Sequence, residues 1–123
     1  MQTSPLTIAD TGHNEAGILE VVNQLKKYRY SQLWMVIGMV NDKDISKVLD
    51  LLPQEATYIF CQANLPRAMD AHLLASKAVE KGLMGQVIPR VSDAVEFARK
   101  NAGPNDLIFI GGSTFVVAEI EDL

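Results

Sequence analysis

An apolar, strand-like run followed by an amphipathic helical pattern occurs five times along this chain. The five strand-like runs are Pro5–Ala9, Gln32–Val40, Thr57–Cys61, Gln86–Ile88 and Leu107–Ile110. The helical patterns run from Glu15 to about Lys27, from Asp42 to Leu52, from Asp70 to Lys81, from Ser92 to Asn101 and from Phe115 to Ile120. This alternation predicts an α/β fold with three layers, in which helices cover both faces of a mostly parallel sheet of about five strands.

Signals for the starts and ends of helices separate these units. Asn14, Asp42 and Ser92 occupy positions typical of helix N-caps, while Pro53 and Gly82 are placed to end the second and third helices. No linker, low-complexity run or repeat divides the sequence. We therefore expect a single domain over residues 1–123.

Composition excludes several classes of function. With 48% hydrophobic residues the chain can form a core, and its net charge of -4 argues against binding to nucleic acid. The longest apolar stretch, Leu33–Val40, is far shorter than the roughly 20 residues that cross a bilayer. The single cysteine, Cys61, lies in an apolar run and predicts an inert buried thiol. We expect a soluble, cytoplasmic protein, and two isolated histidines predict no metal site.

Polar turns rich in glycine follow the first, second and fifth predicted strands. They span Asp10–Asn14, Gly38–Asp44 and Gly111–Phe115. Ligands of parallel sheets bind at this carboxyl edge, where helix N-termini present free N–H groups. The chain has neither the G-x-x-x-x-G-K-[ST] loop that cradles a triphosphate nor the G-x-G-x-x-G fingerprint of dinucleotide sites. Ser113 lacks the G-x-S-x-G surroundings of a nucleophile.

Four segments resemble, in order, the motifs of one family. Asp10-Thr-Gly-His-Asn14 is similar to the Asp-Gly-Ala-His-Asn-Pro motif that opens the C-terminal domain of folylpolyglutamate synthase and dihydrofolate synthase, members of the Mur ligase superfamily. Gly38–Asp44 resembles the family's Gly-x-x-x-Asp-Lys-Asp turn, and Pro66-Arg-Ala68 its Pro-Arg-Ala segment. Gly112–Phe115 resembles its Gly-Ser-Leu/Phe-Tyr/His turn. The ordered set covers nearly the whole chain.

This resemblance implies a Rossmann-like domain of an ATP-dependent amide ligase. Such an enzyme activates a carboxylate as an acyl phosphate, which the amine of L-glutamate then attacks; the acceptor is dihydropteroate or a tetrahydrofolate (poly)glutamate. ATP and Mg²⁺ would be held mainly by an N-terminal P-loop domain of the same polypeptide, which these residues do not include. The domain alone is therefore expected to be inactive.

The resemblance also implies roles for individual residues. It assigns nucleotide binding to Asp10, Gly12, His13 and Asn14, and glutamate binding to His13 and Ser113. It gives Asp42, Lys43, Asp44 and Arg67 as secondary candidates. No catalytic residue is assigned within this chain.

Simpler readings of the same residues remain open. Asp10, Asn14 and Ser113 would each serve as an ordinary turn or capping residue, and Arg67 as a solvated side chain. Glu15 replaces the family's usual proline and places a carboxylate beside the expected glutamate site. Two alternative functions are a free-standing binding module for a small anion and the C-terminal domain of a peptidoglycan-precursor ligase. The turn containing His13 argues against the second.

Overall fold

The computed structural model describes residues 6–10, 15–40, 45–112 and 114–118. These residues form five strands, each followed by a helix. The strands are β1 (Leu6–Asp10), β2 (Leu33–Ile37), β3 (Thr57–Gln62), β4 (Gly85–Arg90) and β5 (Leu107–Gly111). The helices are α1 (Glu15–Leu25), α2 (Ile45–Leu51), α3 (Ala71–Val79), α4 (Val91–Asn101) and α5 (Thr114–Ala118). The predicted α/β alternation is confirmed.

The strands form one parallel sheet in the order β1-β5-β2-β3-β4. The chain therefore moves across the sheet from β2 to β4 and then returns, so that the last strand lies between the first two. Helices that connect parallel strands follow a right-handed path, and reversal of direction places them on the opposite face. Accordingly, α1, α2 and α3 pack on one face, and α4 and α5 on the other.

Alternate residues of the central strands supply two separate hydrophobic cores. In β2, Met35 and Ile37 join the core beneath α1 to α3, whereas Trp34 and Val36 join the core beneath α4 and α5. All five residues of β2 and of β5 are buried, as expected for strands that are covered on both faces. Cys61 is buried in the second core, which confirms the prediction of a buried thiol.

The second strand is shorter than the sequence predicts. β2 ends at Ile37, and the apolar residues Met39 and Val40 continue beyond it in a turn. Val40 pairs there with Ala68 in an isolated antiparallel bridge. Hydrophobicity extends past the strand because Met39 is buried in the core beneath α1 to α3.

The prediction that Ser92 caps the fourth helix is wrong. α4 begins at Val91, directly after β4, and its N-cap position is Arg90, whose side chain makes no capping hydrogen bond. Ser92 thus lies inside the first turn. α3, by contrast, is capped by Asp70, which accepts hydrogen bonds from the N–H groups of His72 and Leu73. None of the described helices is long and apolar enough to cross a membrane.

Candidate functional site

The carboxyl ends of β1, β5 and β2 lie side by side at one edge of the sheet. Gly111, the last residue of β5, is in register with Asp10 on one side and with Ile37 on the other. α1 and α2 leave this edge over one face and α5 over the other, so the connections diverge here. Divergence of neighbouring connections opens a crevice, which is the usual ligand site of such sheets.

Two glycines bring the turns after β2 and β5 into direct contact. Gly112 has a φ of 95°, and a Cβ added to it would lie 2.6 Å from the carbonyl oxygen of Gly38. The N–H of Gly38 donates a hydrogen bond of 3.2 Å to the carbonyl oxygen of Gly111. Because side chains are absent here, the two turns can pack backbone against backbone.

Asp10 is the predicted site residue that the structure describes at this edge. It is the last residue of β1, is partly exposed and lies beside Gly111. Its position follows from strand register, because Asp10 pairs with Gly111 at the end of β1. This arrangement brings one carboxylate to the carboxyl edge of the sheet, beside the backbone of Gly111.

Arg67 lies on a different loop, residues 63–70, which connects β3 to α3. The arginine is exposed, but the loop around it is ordered by several hydrogen bonds. The N–H of Met69 donates to the carbonyl oxygen of Met39 over 2.8 Å, which ties this loop to the turn after β2. The structure therefore links Arg67 to the polar turn after β2, through backbone groups that side-chain patterns did not reveal.

A second crevice, which sequence reasoning missed, opens between the ends of β3 and β4. α3 and α4 leave these strands over opposite faces, so the same divergence arises here. The groove has a volume of about 850 Å³, and its lining residues are Gln62, Ala63, Asn64, Leu65, Pro66, Pro89, Arg90 and Ser92. Pro66 belongs to the Pro-Arg-Ala segment, which was the one sequence signal pointing to this region.

The other predicted site residues lie outside the described residues. These are Gly12, His13, Asn14, Asp42, Lys43, Asp44 and Ser113. Their described neighbours, Asp10, Val40 and Gly112, lie at the carboxyl edge, where the flanking strands end. Within the described ranges, no three His, Cys, Asp or Glu side chains are grouped so as to hold a metal ion.

A sequence profile described as "Mur ligase, glutamate ligase domain" matches residues 1–114. The chain belongs to this family. The resemblance read from the four motifs is thereby confirmed.

Curated relatives of this Mur ligase domain are much longer than the chain itself. A probable bifunctional folylpolyglutamate synthase/dihydropteroate synthase of Haloferax volcanii is 33% identical over 122 residues. The match includes 97% of this chain but 14% of that protein. The Mur ligase domain thus spans about one-seventh of this relative.

Solved structures resemble the Mur ligase domain over nearly its full length. E. coli FolC in complex with ADP aligns with a TM-score of 0.84 and 26% identity, covering 94% of this chain and 28% of FolC. A bifunctional folylpolyglutamate synthase/dihydrofolate synthase with Mn, AMPPNP and L-glutamate bound aligns with a TM-score of 0.79 and 25% identity. That alignment covers 96% of this chain and 29% of the other. The fold predicted from the sequence is confirmed.

Proposed function

We propose that this chain is the glutamate-ligase domain of a larger, folate-type amide ligase. The whole enzyme would use ATP to join L-glutamate to dihydropteroate or to a tetrahydrofolate (poly)glutamate, in the cytoplasm. The observation that carries this proposal is the register of Asp10 with Gly111, because the segments that resemble the family's first and last motifs follow from these neighbouring strand ends. The likeness to solved synthases that hold ADP, or AMPPNP with L-glutamate, supports it.

The reaction would proceed in two steps. The acceptor carboxylate takes the γ-phosphoryl group of ATP, which forms an acyl phosphate and releases ADP. The amine of L-glutamate then attacks the acyl carbon, and the C–O bond to phosphate breaks as the amide forms; inorganic phosphate leaves and the amine loses a proton. Mg²⁺, when bound, would neutralise charge on the phosphates.

The residues of this chain would bind and orient the substrates. Asp10 suits a ribose, since a carboxylate at the crevice rim can accept hydrogen bonds from both hydroxyls of a vicinal diol. Gly38 and Gly112 hold the turns after β2 and β5 against each other beside Asp10, because a Cβ at either glycine would lie within 2.7 Å of neighbouring protein atoms. Among the residues outside the described ranges, Gly12, His13 and Asn14 would complete the nucleotide site. His13 and Ser113 would hold the carboxylates of glutamate.

The phosphate cradle would come from a partner domain. No P-loop sequence occurs in these residues, so we propose that a P-loop domain of the same polypeptide supplies it together with the Mg²⁺ ligands. The secondary candidates Asp42, Lys43, Asp44 and Arg67 would then face that domain or an anionic substrate.

The test is phosphate release by the full-length protein with ATP and Mg²⁺. Dihydropteroate and tetrahydrofolate are supplied in turn, each with and without L-glutamate. We expect release to require an acceptor together with L-glutamate, and to fall by about tenfold or more in Asp10→Asn and Ser113→Ala, as expected for lost hydrogen bonds to charged groups. Glu96→Gln and Ser76→Ala are matched controls on exposed helix faces and should retain activity.

The alternatives give different results in the same assay. Phosphate release that depends on a peptidoglycan precursor, and not on dihydropteroate or tetrahydrofolate, would favour the peptidoglycan-precursor ligase. If the chain is a binding module, no acceptor would lead to phosphate release. The isolated 123-residue chain would nevertheless bind a small anion.

A further inference from the structure

Two loops at the carboxyl edge are joined to each other by their backbones. The N–H of Met69 donates to the carbonyl oxygen of Met39 over 2.8 Å, and Val40 pairs with Ala68 in an antiparallel bridge. We refer to these two pairs, Met39 with Met69 and Val40 with Ala68, as the clasp. It connects the turn after β2 with the loop that carries Arg67.

The Arg67 loop is fixed at further points on either side of the clasp. The side-chain oxygen of Gln62 accepts a hydrogen bond of 2.9 Å from the N–H of Ala71, which joins the two ends of the loop. Within it, the N–H of Ala68 donates to the carbonyl oxygen of Leu65 over 3.1 Å. Met69 itself is only 3% exposed. An exposed arginine is thus held on a loop with little freedom to move.

The other side of the clasp reaches the main crevice. Met39 is 4% exposed, and a Cβ added to Gly112 would lie 3.2 Å from its sulfur atom. Gly38, the residue before Met39, donates to the carbonyl oxygen of Gly111. One continuous series of backbone contacts therefore runs from Gly111, through the turn after β2, to the Arg67 loop.

We propose that the clasp positions Arg67 relative to the crevice, with the N–H of Met69 as the positioning group. Arg67 adjoins Ala68 in the chain, and Val40, the partner of Ala68, is the last described residue before Asp42, Lys43 and Asp44. The clasp thereby holds Arg67 beside the turn after β2, where its guanidinium cation meets an anionic substrate, either ATP or L-glutamate. The kinetic part of this inference rests on the proposed function, whereas its structural part does not.

The structural part is tested by hydrogen exchange in the full-length protein. Met69→Pro removes the N–H donor, and Met69→Leu is the matched control that keeps both the donor and a buried apolar side chain. We expect amides of residues 39–45 and 63–68 to exchange faster in Met69→Pro than in Met69→Leu, with those of α4 unchanged. Equal exchange in the two variants at residues 39–45 would overturn the proposal, whatever reaction the protein catalyses.

The kinetic part is tested by a double-mutant cycle with Arg67→Gln. Arg67→Gln and Met69→Pro should each raise the KM of the same anionic substrate by at least about threefold, whereas Met69→Leu should leave it unchanged. In the Arg67→Gln background, Met69→Pro should add almost nothing to that KM. If the two substitutions instead raise KM by factors that multiply in the double variant, Met69 does not act through Arg67. That result would contradict the proposal.

A covalent version of the clasp covers the case in which Met69→Pro does not fold. Val40→Cys and Ala68→Cys, introduced together, place two thiols on directly opposed residues, a spacing that suits a disulfide. With the disulfide formed, we expect the KM for ATP and the KM for L-glutamate to stay at those of the parent protein. Amide hydrogen exchange at residues 39–45 should become slower. A rise in KM on oxidation that dithiothreitol reverses would mean that the clasp must open, and would refute a fixed positioning role.

Discussion

Gly112 has no side chain because the turns after β2 and β5 touch at this residue. Its φ of 95° lies in the left-handed region, and the carbonyl oxygen of Gly38 occupies the space of a Cβ. Gly112→Ala should therefore reduce the free energy of unfolding by about 2 kcal/mol or more, from backbone strain together with the clash. Urea unfolding followed by circular dichroism measures this change.

A second glycine provides the matched control for that substitution. A Cβ at Gly103 would have its nearest neighbour at 3.7 Å, which is an ordinary contact, and its φ lies outside the left-handed region. Gly103→Ala should change stability by less than about 1 kcal/mol. Equal losses in the two variants would show that the contact between the turns does not explain the glycine at 112.

Tyr58 gives the protein a dependence on alkaline pH. Burial raises the pKa of its phenol well above the usual value, and the hydroxyl donates to the carbonyl oxygen of Pro53. The unfolded chain releases this proton near the ordinary tyrosine pKa of about 10, whereas the folded chain retains it. The stabilisation is fully present below that pH and is lost as the pH rises above it.

Unfolding in urea at about pH 8 and about pH 10.5 tests this effect. The free energy of unfolding should fall more between these pH values in the parent chain than in Tyr58→Phe. The variant should start about 1 kcal/mol lower, because it lacks the hydrogen bond to Pro53. A loss of the same size in both proteins would assign the alkaline transition to other groups.

For individual residues, the sequence predicted positions well where side chains carry the chemistry. The position of Asp10 at a strand end was predictable, because an apolar run followed by Asp, Gly and Asn marks a strand that enters a turn. The bond between Met39 and Met69 was not, because both partners are backbone groups and any residue type supplies them. Contacts of this kind become visible only after the strands have been arranged.

Helices α3 and α4 begin in different ways, and their stability should respond differently to substitution. Asp70 accepts hydrogen bonds of 2.8 and 3.2 Å from the first turn of α3, so Asp70→Ala should cost about 1 kcal/mol. Arg90 precedes α4 with an extended backbone and no capping bond. Arg90→Asp should stabilise the protein by roughly 0.5–1 kcal/mol, since a carboxylate there can cap the helix and suits its dipole.

Thermal unfolding of the two variants and of the parent chain measures both effects. Opposite shifts in Tm are expected, downward for Asp70→Ala and upward for Arg90→Asp. A downward shift in Arg90→Asp would mean that the arginine contributes more to the end of β4 than a cap contributes to α4.

The types of the elements were predictable, but some of their boundaries and their order were not. Apolar runs and helical periodicity identified all five units, because those patterns reflect burial of each element. Ser92 was misassigned as a cap because capping residues also occur inside first turns, and no loop separates β4 from α4. The strand order depends on which strands are neighbours in space, and the five runs carry no local signal for it.

The protection of backbone amides should follow the order of strands across the molecule. β5, β2 and β3 each pair on both sides and are largely buried, whereas β1 pairs only with β5, and β4 only with β3, in the described part of the chain. We expect the amides of β2, β3 and β5 to exchange most slowly and those of β1 and β4 to exchange first among the strands. Exchange measured by mass spectrometry would contradict this if β1 outlasted β2.

The arrangement of β5 between β1 and β2 has a consequence for biosynthesis. As the ribosome extends the chain, β1 has no strand to pair with until the last strand emerges, nearly one hundred residues later. Asp10 and Gly111 can become neighbours only then, so the crevice forms last. A nascent or prematurely terminated chain would carry helices, a partial sheet and the groove between β3 and β4, but not the crevice beside Asp10.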